Sequence, residues 1–266
     1  MIRNTIKRAL QKAGLLTYAA GTRDWIKTIK LLPANSRYWL HPPDGSPLPP
    51  LRLIKAVTGQ PDIEWFLKSG ALAAEAILTT LQRNAVVLNE TSDILDFGCG
   101  CGRVIRHFNG KARCFGTDYN KSAIDWCTNH LRFGTFTQND LEPPLIFGEH
   151  QFDLIYALSV LTHLPESLQR KWLQEFFRIL RPGGHLVLTT HGEYYLPILN
   201  PVEKEEFRAD RLVVRADHEP GSNPYCSYQS YAYTKSIASD YFQIVDFVPE
   251  GALGNPRQDL YLLKKF

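Results

Sequence analysis

From Asp93 onward, short apolar runs alternate with stretches whose apolar residues recur at helical spacing. The helical stretches lie at 103–108, 122–131 and 166–180. Strands that alternate with helices are typical of βαβ units and of a mainly parallel sheet. The predicted strands lie in the runs "DILDFG", "ARCFGTD", "GTFTQND", "FDLIYALSV" and "GGHLVLTTHG".

Residues 234–266 have a different pattern. A helical stretch, "TKSIASDYF", leads into two apolar runs, "FQIVDFVPEG" and "QDLYLLKKF". Only a loop separates these two runs, so we expect two strands that pair in antiparallel fashion.

The region before the alternating pattern has its own character. Residues 2–13 have the spacing of a short basic amphipathic helix, which either packs on its own domain or contacts a partner or a membrane surface. Five prolines in "HPPDGSPLPP", residues 41–50, exclude helix and central strand there and indicate a linker. We therefore expect a basic helical arm or cap over residues 1–60 and a main domain over residues 61–266.

The charge distribution agrees with this division. Residues 1–60 have a balance of +8, whereas residues 61–266 have a balance of −5, within a total of +3. The five cysteines form no Cys-x-x-Cys pair, which favours reduced thiols and a cytoplasmic protein. No apolar run approaches the roughly 20 residues that span a bilayer, and the first residues do not have the pattern of a secretory signal.

The stretch "ILDFGCGCGRVIRHF" places alternating glycines directly after the first predicted strand. Glycine lets the backbone approach a ligand closely, since no Cβ intervenes. Arg103 occupies the place where a dinucleotide fingerprint requires glycine, and no Gly-Lys-Ser/Thr motif is present. Cys99 and Cys101 have no further ligand cluster nearby, so the sequence predicts no metal site.

Carboxylates end the next two predicted strands. Asp118 follows Asp96 by 22 residues and can accept both hydroxyl groups of a ribose. Asp140 ends the third strand, where a carboxylate can accept a hydrogen bond from an exocyclic amine. Together with the glycine turn, these residues predict a nucleoside-binding site.

On these motifs the sequence resembles class I S-adenosylmethionine-dependent methyltransferases. The pieces that carry the resemblance are "ILDFGCGCGR", "FGTDYN", "QNDL", "FDLIYALSVLTHLPE" and "LRPGGHLVLTTHG", within residues 93–192. The resemblance implies a Rossmann-like seven-stranded sheet with one antiparallel strand, and S-adenosylmethionine as cofactor with S-adenosylhomocysteine as product. It places Tyr119 against the adenine and the Leu141 backbone amide beside it. The implied cofactor residues are Asp96, Gly98, Gly100, Gly102, Asp118, Tyr119, Asp140 and Leu141.

His163, just beyond the fourth strand, is the candidate general base. The alternative is a structural histidine that is hydrogen-bonded near the start of the next helix. His191 and Tyr194 are weaker candidates, and Arg103 either pairs with the cofactor carboxylate or is a solvated helix residue. The tyrosines of residues 223–233 either line an aromatic pocket or lie on an exposed strand.

The segment after the fourth strand also bears on the substrate. It reads "ALSV", which lacks the Asn/Asp-Pro-Pro-aromatic motif of nucleic-acid amino methylases. By elimination, we expect methyl transfer to oxygen or nitrogen of a small metabolite or sugar, with no nucleic-acid partner. The alternatives are a non-catalytic binding module that engages a partner, and an aminopropyl-type transferase. The oligomeric state has no signature in the sequence.

Overall fold

The computed structural model describes residues 31, 33–38, 42–43, 45–215, 219–222 and 224–266. The helix predicted at 2–13 lies outside the described residues. A boundary between two compact units falls between Phe66 and Leu67. In the described ranges, no helix is long and apolar enough to cross a membrane.

In the first unit, a short helix and a buried asparagine organise the described residues. Helix α1 spans Leu51–Thr58 and ends at Gly59, whose φ of 77° is left-handed. Asn35 is 1% exposed; its side chain donates to the carbonyl oxygen of Pro61 (2.9 Å) and accepts the N–H of Ile63 (3.0 Å). Asn35 therefore satisfies backbone groups at the start of helix α2, Ile63–Arg83.

The second unit contains a seven-stranded sheet, in the order β3-β2-β1-β4-β5-β9-β8. Strand β9 is antiparallel to both β5 and β8, and the remaining neighbours within β3-β2-β1-β4-β5 are parallel. This arrangement confirms the predicted Rossmann-like sheet with one antiparallel strand. The strands are β1 Asp93–Phe97, β2 Arg113–Asp118, β3 Gly134–Gln138, β4 Phe152–Ala157, β5 Leu180–Thr190, β8 Phe242–Val248 and β9 Asp259–Lys265.

The helices follow the predicted alternation, with one difference. The predicted helix at 103–108 is a single 3₁₀ turn, Ile105–Phe108. The backbone bonds there join residues three apart, such as the His107 N–H to the Val104 carbonyl oxygen (3.1 Å), so no α-helical turn forms. The other helices are α3 Lys121–His130, α4 Glu166–Ile179, α5 Pro201–Arg208 and α6 Tyr231–Ala238.

The tyrosine-rich segment forms part of a core. Its strand β7, Cys226–Tyr228, pairs with β6, Val213–Arg215, in a separate two-stranded sheet. Tyr228 packs in a small buried cluster with Leu199, Phe207 and Val213. Tyr225 and Tyr233 are also buried, so most of this segment is not an exposed strand.

Candidate active site

The predicted site residues gather where the parallel strands end, which we call the carboxyl edge of the sheet. Strand β1 ends at Phe97, directly before the glycine turn, and β2 ends at Asp118. Strand β4 ends at Ala157 and β5 at Thr190. Ligands of open α/β sheets bind at this edge.

The glycine turn requires glycine for two reasons. Gly98, Gly100 and Gly102 have φ values of 79°, 52° and 75°, all in the left-handed region. A Cβ on Gly98 would lie 2.5 Å from Cγ2 of Val160, and one on Gly102 would lie 2.5 Å from Cδ1 of Leu131. The turn therefore packs closely against the segment after β4 and against the loop after α3.

Asp118 holds the glycine turn to the end of β2. Its Oδ2 accepts the N–H of Gly100 and its Oδ1 accepts the N–H of Asn120, each at 2.8 Å. Burial raises the pKa of Asp118, and these two backbone donors act in the opposite direction. Each carboxylate oxygen retains a further acceptor site beside the backbone donor that it already binds.

Asp96 is buried with one oxygen unsatisfied. It is 4% exposed, and in the described part of the chain its Oδ2 has no hydrogen-bond partner. Burial raises its pKa to about 7, while the nearby Tyr156 hydroxyl and the Arg103 guanidinium lower it. A buried acceptor without a donor is costly unless a ligand supplies one. The residues present thus fit a nucleoside cofactor that carries cationic or donor groups.

Tyr119 and Leu141 both contact the backbone of residues 219–222 at Gly221. The Tyr119 hydroxyl donates to the carbonyl oxygen of Gly221 at 2.9 Å, although the side chain is 51% exposed. A Cβ on Gly221 would lie 2.9 Å from Cδ1 of Leu141. Asp140 is exposed, two positions beyond the end of β3.

His163 ends the 3₁₀ turn Leu161–His163 after β4. Its Nδ1 lies 2.7 Å from the carbonyl oxygen of Tyr225. A carbonyl can only accept, so Nδ1 carries the proton, and Nε2 of the neutral ring keeps a lone pair that no donor among the described residues takes. Burial lowers the pKa of His163, which favours this neutral form. The carbonyl oxygen of His163 also accepts the N–H of Gly221 (2.8 Å).

The two weaker candidates, His191 and Tyr194, have other partners. His191 is 7% exposed, its Nδ1 lies 3.1 Å from the Ser227 carbonyl oxygen, and its Nε2 lies 3.2 Å from Nε2 of Gln258. Its lone pair is therefore occupied, and burial lowers its pKa to about 4. Tyr194 lies on the surface beneath the Arg257 guanidinium.

Arg103 is buried rather than solvated. Its Nη1 donates to the carbonyl oxygen of Gly254 (3.2 Å) and its Nη2 to Oδ1 of Asn255 (2.6 Å). The guanidinium thus binds the loop between β8 and β9.

Sequence reasoning missed two polar residues at the carboxyl edge. Ser159 follows β4 with a φ of 61°, and Gln258, 1% exposed, directly precedes β9. Nε2 of Gln258 donates to Oγ of Ser159 at 2.8 Å. The only sequence signal was the position of "ALSV" after the fourth strand, since 99 positions separate the pair.

Comparison with known proteins agrees with the fold and the motifs. Residues 94–184 match the family model described as "Methyltransferase domain". A phosphoethanolamine N-methyltransferase of Plasmodium falciparum is 30% identical over 134 residues, 48% of each chain. A tRNA N(3)-methylcytidine methyltransferase of Schizosaccharomyces pombe is 28% identical over 104 residues, 35% of this chain and 42% of that protein.

The solved structures extend the likeness at the level of the fold. A SAM-dependent methyltransferase from Methanosarcina mazei has a TM-score of 0.53 and 20% identity, over 69% of this chain and 97% of that chain. The present chain spans about half the length of the curated relatives it matches, or less. The glycine turn, the strand-end carboxylates and the sheet order, together with the family match at 94–184, identify a class I S-adenosylmethionine-dependent methyltransferase domain in this chain.

Proposed function

We propose that this protein transfers a methyl group from S-adenosylmethionine to an oxygen or nitrogen atom of a small molecule. The observation that carries the proposal is the tautomer of His163, whose Nδ1–H donates to the Tyr225 carbonyl oxygen. Its Nε2 is left as a proton acceptor at the same edge of the sheet as Asp96 and Asp118. When bound, S-adenosylmethionine supplies an electrophilic methyl group.

For cofactor binding, the proposed roles follow the chemistry of each group. Asp118 receives the ribose hydroxyls, and the unsatisfied Oδ2 of Asp96 receives a donor or cationic group of the cofactor. Gly98, Gly100 and Gly102 provide the close backbone approach. Tyr119, Asp140 and Leu141 bind the adenine. All these residues flank the ends of the three neighbouring strands β1, β2 and β3.

For the acceptor, the proposed roles are to orient the nucleophile, exclude water and remove a proton. Alignment of the nucleophile with the transferred carbon accounts for much of the acceleration in such a reaction. If the nucleophile is a hydroxyl group, neutral His163 takes its proton through Nε2. An acceptor that is already deprotonated needs only the alignment.

The negative charge of the main domain favours a small-molecule substrate over a nucleic-acid substrate. Residues 61–266 have a balance of −5, whereas nucleic-acid binding draws on clustered basic residues. One curated relative is named for phosphoethanolamine and another for tRNA, so both substrate classes occur among similar proteins. The five free cysteines support a reducing, cytoplasmic location.

Residues 1–60 have the opposite charge, with a balance of +8. We assign them the role of an accessory cap, and we assign the basic helix predicted at 2–13 to contact with a partner.

The test is transfer of tritium from methyl-labelled S-adenosylmethionine. The acceptors are phosphoethanolamine, unmodified tRNA and a fractionated metabolite extract, and calorimetry with S-adenosylhomocysteine runs in parallel. We expect tritium in a small-molecule product and none in tRNA. Binding of S-adenosylhomocysteine without methyl transfer to any acceptor would identify a binding module. Label transfer only from decarboxylated S-adenosylmethionine carrying a labelled aminopropyl group would identify the aminopropyl alternative.

A further inference from the structure

We infer that Ser159 donates its hydroxyl proton to an oxygen atom of the acceptor substrate and so positions that substrate beside His163. The inference rests on the proposed function and deepens it, because it requires a substrate that carries a hydroxyl, carboxylate or phosphate oxygen. Ser159 lies between the end of β4 at Ala157 and the 3₁₀ turn that carries His163.

The backbone of Ser159 is held in an unusual conformation. Its φ of 61° lies in the left-handed region, which is unfavourable for a residue other than glycine. Two hydrogen bonds hold it there: the Ser159 N–H donates to Oγ1 of Thr189 (2.7 Å), and Oγ1 of Thr162 donates to the Ser159 carbonyl oxygen (2.9 Å). Strain that the surroundings maintain is a common feature of binding sites.

The hydrogen bonds of Gln258 fix which groups donate around Ser159. Oγ1 of Thr189 lies 2.7 Å from Oε1 of Gln258 and donates its proton to it. The two N–H groups of Gln258 then point at Oγ of Ser159 (2.8 Å) and at Nε2 of His191 (3.2 Å). Ser159 therefore accepts from Gln258 and is not its donor.

The orientation of the Gln258 amide is fixed by one carbonyl group. His191 must carry its proton on Nδ1, because Nδ1 faces the carbonyl oxygen of Ser227 (3.1 Å). Its Nε2 is then an acceptor and needs the amide nitrogen of Gln258. Exchange of the amide oxygen and nitrogen would set two acceptors against each other in a buried site, which is unfavourable.

The network thus leaves the Ser159 proton available. Among the described residues, no acceptor takes the hydroxyl proton, and the side chain is half-buried. His163, four positions further on, presents a lone pair on Nε2. One site therefore offers a donor and an acceptor: Ser159 binds an oxygen of the substrate, and His163 removes the proton of the methylated group.

The test measures KM, kcat and S-adenosylhomocysteine affinity with whichever acceptor in the tritium assay is labelled. Loss of one hydrogen bond corresponds to roughly a tenfold change in binding. We expect Ser159→Ala to raise the acceptor KM about tenfold, with kcat, cofactor affinity and melting temperature little changed. Ser236→Ala is the matched control, since that hydroxyl donates to the Tyr233 carbonyl within helix α6 (2.8 Å).

A second variant tests the direction of the hydrogen bond. Gln258→Glu replaces the donor by an acceptor, so the Ser159 proton turns toward residue 258 and is lost to the substrate. We expect an increase in KM like that of Ser159→Ala, and no further increase in the double variant. If Gln258→Glu does not fold, Ser159→Ala decides alone.

Two results would overturn the inference while leaving the proposed function intact. One is an unchanged acceptor KM in Ser159→Ala. The other is a parallel fall in cofactor affinity and melting temperature, which would make Ser159 a structural residue. If the wild-type protein labels no acceptor at all, both the proposed function and the role of Ser159 fail.

Discussion

The imidazole of His163 donates its Nδ1–H to the carbonyl oxygen of Tyr225 across 2.7 Å, which leaves Nε2 as the basic nitrogen. Tyr225, directly before β7, thereby fixes the tautomer of His163, which is 62 positions earlier in the chain. Gln169, fully buried, supports the same turn by donating to the carbonyl oxygens of Leu161 and Leu164.

For a hydroxyl acceptor, His163→Ala and His163→Gln should each lower kcat by roughly 10² to 10⁴, the usual contribution of a positioned base. Cofactor affinity should stay unchanged. Because burial lowers the pKa of His163 from 6.5, the ring stays neutral somewhat below pH 6.5. The wild-type rate should therefore decrease with acidification only at pH values below 6.5, where the ring becomes protonated. Both variants should lose this decrease.

His130→Ala is the control for His163, since its Nδ1 also binds a backbone carbonyl, that of Trp126 (2.8 Å). Full turnover in both His163 variants would show that alignment alone suffices. A joint fall of cofactor binding and melting temperature would identify His163 as structural.

His191 should make stability depend on pH. Its pKa falls from 6.5 to about 4 because of burial, so the unfolded chain binds a proton before the folded protein does. Its contribution is therefore complete above pH 6.5 and is lost as the pH falls toward 4, by roughly 3 kcal/mol. Urea unfolding of the wild type and of His191→Asn at several pH values measures this. Parallel curves for the two proteins would contradict the prediction.

Asp118→Ala should weaken binding of S-adenosylmethionine by roughly 1–3 kcal/mol, since ribose hydroxyls lose their acceptor and Gly100 loses its anchor. Calorimetry measures the affinity. Asp125→Ala, which removes an exposed carboxylate paired with Lys121, is the matched control. Undiminished binding by a folded Asp118→Ala protein would place the cofactor elsewhere.

Gly98→Ala should destabilise the protein more than Gly110→Ala does. The two glycines have similar φ values, 79° and 75°, so the conformational cost is matched. Only Gly98 has a neighbour in the way, Cγ2 of Val160 at 2.5 Å, whereas nothing lies within 4 Å of a Cβ on Gly110. Overpacking of this kind costs about 1–3 kcal/mol. Urea unfolding measures both variants.

Val160→Ala in the Gly98→Ala background should recover part of that difference, because it removes the clashing methyl group. Equal destabilisation by the two glycine substitutions would mean that Val160 moves aside without cost.

A chain that begins at residue 61 should remain folded and bind S-adenosylhomocysteine but lose turnover, if residues 1–60 cap the substrate. Truncation also removes the Asn35 side chain from Pro61 and Ile63. Asn35→Ala in the full chain measures that effect separately. Wild-type turnover in the truncated chain would exclude a role of these residues in catalysis.

The sequence was sufficient where local patterns determine structure. The apolar runs predicted the seven strands, and the antiparallel closing pair followed from the short connection between its members. The pairing of Ser159 with Gln258 was not predictable, because it depends on β9 inserting between β5 and β8, and 99 positions separate the two residues. The burial of Tyr228 depended likewise on a partner strand, Val213–Arg215, that has no strong pattern. The missing partner of Asp96 Oδ2 is visible only once its surroundings are packed.

The position of β9 between β5 and β8 has a consequence for biosynthesis. The chain leaves the ribosome from its amino end, so one edge of β5 stays without its pairing strand until residues 259–265 have been made. Leu186 and Leu188 of β5 are completely buried in the finished protein and pair with residues of β9. An unpaired apolar strand can pair with another nascent chain. Synthesis of β9 is therefore the step after which the edge of β5 can be paired within the chain.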